Sequence, residues 1–404
     1  MMLTLAWRNL WRRRRRTLFS IVAIAITAAV VVFLPSLQAG SYSSMVRTYI
    51  GFTDGYAQVQ HKDYLSTPAM RGSFQVTEAL RTALKDLPPD VSVGQRGVAY
   101  VLLSSDTRSI GAQILGVEPE AEPSISTIPS NIVQGDYLSK NDQVVLGEVL
   151  ARNLQVGIGD SITLLGVGHD ASLAADVLTV AGVFRTGITD IDRTLAEIPL
   201  KRFDATFAMD GERHSIVLNG GDMAALRHEV RGLRPLVEEE GLALRDWTEL
   251  QPSLDAAIRL DATSAVLIYA VLIVVVVISL LNTLLISVLE RTREFGMMLA
   301  LGVKPGLLGR IVWVEIGLLS LLGVLAGMLG GVILTFWLGR QGIEFESAQA
   351  VFEQYGMSGT LYPELTSLTL FAGPAVIVLA LLLAGTYPAF RIQGLRIIEA
   401  MRAA

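Results

Sequence analysis

The chain has 404 residues, 51% hydrophobic and 18% charged, with a mean hydropathy of +0.48, high for a soluble protein. The net charge of −5 supplies no basic excess for a nucleic-acid partner, and none is expected. The absence of cysteine excludes disulfides, thiolate metal sites and cysteine nucleophiles, while His61, His169, His214 and His228 follow no ligand spacing.

Four stretches, 17–46, 262–289, 316–339 and 365–390, carry almost no ionisable groups. Each exceeds the ~20 residues with which a helix crosses ~30 Å of hydrocarbon. The expectation is an α+β membrane protein: four transmembrane helices with a large extracytoplasmic α+β domain between helices 1 and 2. The expected divisions are a cytoplasmic or interfacial helix (1–16), helix 1 with an outer extension (17–50), the extracytoplasmic domain (51–254), helix 2 (255–289), a cytoplasmic segment (290–310), helix 3 (311–339), an outer loop (340–365), helix 4 (366–390) and a cytoplasmic tail (391–404).

Basic residues orient these spans. Arg8 and the arginines at 12–16 precede the first; Arg291, Arg293, Lys304 and Arg310 follow the second; Arg391, Arg396 and Arg402 follow the fourth. Arg340 is the lone base of the third loop, beside Glu344, Glu346, Glu353 and Glu364. Both termini and the second loop therefore belong in the cytoplasm, and the long insertion outside it. The basic-then-apolar start also resembles a signal peptide, but the apolar stretch is longer than a usual signal core. A retained anchor is the reading, with cleavage after 35–40 as the alternative.

In chain order, Trp7 and Leu10 among arginines suit an interfacial helix, a reading compatible with a basic flank that only sets orientation. Pro35 lies near the outer end of the first span, which is expected to continue as a helix to Tyr49. Within the insertion, strands are expected at 56–60, 98–103, 113–117, 144–146, 161–165, 177–183, 216–218 and 242–245, and helices at 76–87, 148–154 and 223–234, the last capped by Asp222. The mix is α+β with few long crossovers. Gly157-Ile158-Gly159 lacks the Lys-Ser/Thr of a phosphate-binding loop and reads as a tight turn; no site for ATP hydrolysis follows from this sequence.

In the second span, Asn282 is a candidate for a hydrogen bond to a neighbouring helix, with a local intrahelical role equally open. Residues 290–305 mix charge with apolar side chains; Leu301-Gly302 breaks the helix and Pro305 starts the next. One face can rest at the lipid interface while another enters a partner's groove, or the segment is an ordinary interfacial loop. Glu315 should lie near the inner interface or face the bundle. Gly323 and Gly327 have the four-residue spacing that lets helices pack closely. A short helix at 348–355 is expected in the outer loop, and a membrane-associated tail at 390–401.

The run Glu290-Arg291-Thr292-Arg293-Glu294-Phe295-Gly296-Met297-Met298-Leu299-Ala300-Leu301-Gly302 resembles the cytoplasmic motif of permeases related to FtsX, MacB, LolC and LolE. Phe295 stands where the usual pattern has isoleucine. Thr386-Tyr387-Pro388-Ala389 resembles the end of that family's last span, 146–160 a segment of its outer domain, and Leu5-Ala6-Trp7-Arg8-Asn9-Leu10 its start. The resemblance implies a dimeric permease core at a bacterial inner membrane, with a second permease subunit, identical or homologous, and a separate cytoplasmic ABC ATPase dimer carrying ATP and Mg. This chain would hold no cofactor and catalyse nothing. The coupling contacts would come from Glu290, Arg291, Arg293, Glu294, Phe295, Met298, Leu299, Leu301 and Gly302. Motion would pass through the spans to the outer domain, with a lipoprotein or a periplasmic or outer-membrane protein as further partner. Lipoprotein release is the first expectation for cargo. Peptide or small-molecule export, control of a cell-wall hydrolase, and a non-transport sensor are the alternatives.

Overall fold

A computed structural model describes residues 2–12, 14–220, 223–344 and 360–393. The chain divides into two compact units, one made of Met1–Ser43, Ile258–Glu344 and Thr360–Ala404, the other of Ser44–Ala257 and Phe345–Gly359.

Among the described residues four helices are long and apolar enough to cross a membrane: span one in Arg14–Asp54, span two in Pro252–Glu290, span three in Pro305–Gln341 and span four in Ser367–Ile392. Span one passes through Pro35 without ending, and its α-helix reaches Tyr49. Ile24, Ala28 and Val31 of span one pack with Ile273 and Leu280 of span two, Leu319 and Val324 of span three and Ile377 and Leu381 of span four. Close approach of spans one and three depends on missing side chains. A Cβ on Gly327 would fall 2.6 Å from that of Ala28, and one on Gly323 would fall 2.6 Å from that of Ile24. Before span one, the helix Met2–Arg12 buries Ala6 and Leu10 and exposes Trp7 and Trp11, whose rings meet edge to face at 5.9 Å. The hydroxyl of Thr17 donates to the Leu10 carbonyl at 2.6 Å and fastens that helix to the start of the span.

Among the described residues the second unit holds twelve strands: β1 (Ala57–His61), β2 (Phe74–Gln75), β3 (Val91–Ser104), β4 (Ser109–Val117), β5 (Ile132–Gly135), β6 (Gln143–Gly147), β7 (Ser161–Val167), β8 (Leu173–Phe184), β9 (Leu195–Pro199), β10 (Glu212–Arg213), β11 (Ser215–Gly220) and β12 (Leu242–Asp246). β3 serves two layers. Its first half, Val91 to Arg96, pairs antiparallel with β11 in the sheet β12-β1-β11-β3, and its second half pairs with β4. Beyond β3 the pairings β3-β4-β9-β6-β8-β7-β3 close on themselves into a six-stranded barrel, which leaves no free edge in that ring. The barrel's core joins Val101, Leu103, Ile114, Leu146 and Leu178 with Phe203 and Phe207 from the helix Leu200–Phe207.

β5, β9 and the helix Leu200–Phe207 carry no clear sequence signal. β9 ends in Pro199 and contains Glu197, both marks against a strand, yet all five of its residues are buried. Two barrel pairings, β4 with β9 and β6 with β8, are parallel and join strands distant in sequence. Asp222 and the expected helix at 348–355 lie outside the described residues, as does the tail beyond 393. The helix Met223–Glu239 runs past the expected end at 234 and through Pro235.

Among the buried ionisable groups of the second unit, Glu197 and His214 show the largest effect of their surroundings. Glu197 accepts a hydrogen bond from the Tyr137 hydroxyl at 2.8 Å; burial, then the nearby Glu122 carboxylate, push its carboxyl well above the usual range. The ring of His214 is fully buried. Its Nδ1 accepts from the Val98 amide at 3.1 Å and its Nε2 lies 2.9 Å from the Met70 carbonyl, an arrangement that suits the neutral ring. Burial, partly countered by the Met70 carbonyl, pushes His214 down to about 4. A depressed histidine contributes stability that is present above its unfolded value and lost as pH falls through the folded one. Urea unfolding of the second unit, followed by Trp247 fluorescence, is therefore expected to weaken between pH 6.5 and about 4 by a part that His214→Phe removes.

Candidate partner-docking site between spans two and three

The connection between spans two and three is short and built from opposed local signals. Span two ends at Glu290, and Arg291 breaks the helix with φ −102° and ψ 7°. The chain re-enters a helix at Thr292–Ala300, and Gly302 at φ +88° ends it in the left-handed region that glycine tolerates without strain. Lys304 is extended and Pro305 occupies the first turn of span three, where its missing N–H costs nothing.

The inward side of this loop helix is apolar. Phe295, only 2% exposed, and Leu299 pack with Val288 of span two, Leu308, Val312 and Ile316 of span three, and Ile392 of span four. Burying a side chain of this size is worth about 2 kcal/mol. Met298 packs at the margin of this cluster.

The charged residues of the run separate into two sets. Arg291 turns inward: its Nη1 donates to both carboxylate oxygens of Glu315 at 3.2 Å, its Nε lies 3.7 Å from Glu294, and its guanidinium stands 5.2 Å from the centre of the Phe295 ring. Glu315 thus faces the bundle rather than lipid. Glu290 pairs with Arg16 at 3.0 Å and Glu294 with Arg12 at 3.2 Å, so both acids hold the amino-terminal arginines. Arg16 also donates to the Thr283 carbonyl. Between the two elements lies a polar cavity of 230 Å³ lined by Asn9, Arg12, Arg16, Thr17, Arg291, Glu294 and Glu315.

The outward side carries Arg293, Met297, Leu301 and Lys304, all exposed, with Leu301 at 85%. Arg293, Met297 and Leu301 follow one another at four-residue spacing and share one face. Two apolar side chains between two cations, presented at the cytoplasmic end of the spans, form a knob suited to a partner's groove. Of the nine residues assigned to coupling from the sequence, Arg293 and Leu301 lie on this face and Gly302 ends it. Phe295, Leu299 and Arg291 anchor the helix from behind. Met297 and Lys304 were not among the nine; the spacing from Arg293 is the signal that finds Met297. Gly323 and Gly327 lie against span one, and Asn282 lies on an exposed face of span two. Among the described residues no group of three His, Asp or Glu side chains could hold a metal ion.

Residues 17–233, more than half of the chain, match the MacB-like periplasmic core domain, and residues 266–395 match the FtsX-like permease C-terminal family. The lipoprotein-releasing system transmembrane protein LolC of Neisseria meningitidis serogroup B is 24% identical over 343 residues, covering 83% of this chain and 80% of that protein. LolC of Xylella fastidiosa is 26% identical over 310 residues, covering 72% of this chain and 73% of that one. The periplasmic region of MacB from Actinobacillus actinomycetemcomitans is similar over 52% of this chain and 95% of its own, at 13% identity and a TM-score of 0.37.

Arg291→Ala would leave the Glu315 carboxylate unpaired beside the apolar cluster. A loss of about 3 kcal/mol is expected, read as a lowered unfolding temperature of the detergent-solubilised chain. The double variant Arg291→Met with Glu315→Leu is expected to recover most of it, because no lone charge remains.

Proposed function

The chain belongs to the FtsX/MacB/LolC-LolE permease superfamily and is a permease-type subunit of an ABC transporter in the inner membrane; from that premise we propose that a cytoplasmic ABC ATPase dimer docks on its loop helix Thr292–Ala300. The ATPase, on a separate chain, holds ATP and Mg. This chain receives its movement and catalyses nothing itself. A second permease subunit completes the membrane core.

The observation that carries this reading is the division of the loop helix into an anchored and a presented face. Phe295, Leu299 and Arg291 tie it to spans two, three and four, while Met297 and Leu301 stand free for a partner. A push on the presented face then displaces spans rather than bending a loop. Span one runs unbroken from Arg14 to Tyr49 and span two from Pro252 to Glu290, lengths suited to carrying such a displacement toward the extracytoplasmic side.

For cargo, we propose release of lipoproteins from the membrane's outer leaflet. The support is the likeness to LolC proteins over most of the length of both chains. In this reading the outer unit hands the lipoprotein to a periplasmic acceptor.

The test is co-purification from membranes with every ATPase subunit identified. Met297→Asp and Leu301→Asp are expected to weaken recovery of the ATPase by about 10-fold or more, as for interface residues worth above ~1.4 kcal/mol each. Both variants should keep the wild-type unfolding temperature, since their side chains are exposed. Normal ATPase recovery and normal lipoprotein release in both variants would remove the docking assignment.

A further inference from the structure

Because β3 belongs to both the sheet and the barrel, one of its faces lines a cleft of 330 Å³ inside the second unit. Arg96, Val98 and Tyr100 alternate along that face. Register extends it to both sides. Ser215 of β11 stands opposite Arg96, and Gln60 of β1 opposite Ser215. Gln113 of β4 stands opposite Tyr100, and Leu195 of β9 opposite Gln113. All of these residues line the cleft. Its walls include Tyr64, Leu65 and Pro68 from the loop after β1 and Ile191 from the helix Thr189–Thr194.

A buried sheet face ordinarily carries apolar side chains, yet Gln58, Gln60, Arg96 and Ser215 are all buried here. Gln60 Nε2 donates to Gln58 Oε1 at 2.5 Å, and Gln58 Nε2 donates to the Asp54 carbonyl at 2.9 Å. This relay orients both carboxamides and leaves Gln60 Oε1 without a partner. The charges around the cleft are already met: Arg96 pairs with Glu122, Asp54 accepts from Gln251 at 2.5 Å, and Asp190 pairs with Arg193 at 2.6 Å. Among the described residues the hydroxyls of Ser215 and Tyr64 and the carboxamide of Gln113 have no hydrogen-bond partner.

These three groups are neutral, and each both donates and accepts. A ligand that satisfies them is uncharged, carries donors and acceptors in turn, and brings apolar groups to Leu65, Pro68, Ile191 and Leu195. Extended polypeptide has that chemistry, since each residue offers one N–H and one C=O and its side chains alternate. From Arg96 to Tyr100 the floor runs about 13 Å, the reach of about four extended residues. We propose that this cleft binds an extended, uncharged segment of the cargo's polypeptide, held through its backbone by Ser215, Gln113 and Tyr64. The inference rests on the lipoprotein reading of the cargo and names the part of the cargo that the outer unit grips. Contacts made to backbone groups let segments of differing sequence fit one site.

The test titrates the full chain in detergent with a dye-labelled, uncharged octapeptide of glycine, serine, alanine and valine, followed by fluorescence anisotropy. The peptide is expected to bind. Methylating its backbone nitrogens removes the N–H donors and should weaken binding by about 10-fold or more, as several hydrogen bonds are lost. Gln113→Ala and Ser215→Ala should each weaken it by about 2- to 10-fold. Val177→Ala, exposed on the barrel and outside the cleft, should change nothing. Gln113 is half-buried, so its variant should keep the wild-type unfolding temperature and report lost contact rather than lost fold. Absence of binding, equal binding by the Gln113 and Ser215 variants, equal binding of the methylated peptide, or displacement of the peptide by maltotetraose overturns the cleft assignment. The expected pattern in a transporter that releases no lipoprotein supports the cleft and removes the lipoprotein reading alone.

Discussion

Arg291 and Glu315 bind the end of span two to the first turns of span three. A carboxylate at that depth is unfavourable alone, and a guanidinium on the neighbouring chain segment, reaching both of its oxygens at 3.2 Å, is what permits it. The pair fixes the point from which the loop helix departs. Gly302 and Pro305 fix the point at which it returns. With both ends set, Phe295 and Leu299 have one position in which to bury, and the outward face is decided by exclusion.

That arrangement explains why a short run needs so many charges. Arg291 sits at the break before the loop helix and Arg293 in its first turn. One points to the bundle and the other to solvent, so the same residue type serves structure and presentation. Glu290 and Glu294 hold Arg16 and Arg12, joining the amino-terminal segment to the same anchor. These exposed pairs contribute little each. Their value is geometric, since a displacement of the loop helix is shared by spans one, two and three at once.

The four spans were legible because hydropathy and length are local properties, and the turns at Gly302 and Pro305 because their backbone requirements are local too. The direction of each charge in the loop was not, because it depends on where Glu315 lies twenty-four residues later. In the outer unit, the alternating β1 and the short apolar run of β11 were readable. The barrel was hidden because its closure depends on β3 changing partners midway and on β9, whose Glu197 and Pro199 argue locally against a strand. The long-range pairings of β9 with β4 on one side and β6 on the other give those residues a buried place.

The central claim is that the loop helix is a rigid handle moved as a unit by a partner. Paired spin labels on the cysteine-free chain measure this directly, one pair joining position 297 to position 321 within the chain and one pair joining position 297 to the loop helix of the second permease subunit. On adding ATP to the assembled transporter, the distance between the two loop helices is expected to shorten while the 297-to-321 distance stays constant. A changed 297-to-321 distance, or an unchanged separation of the two loop helices during turnover, would contradict it.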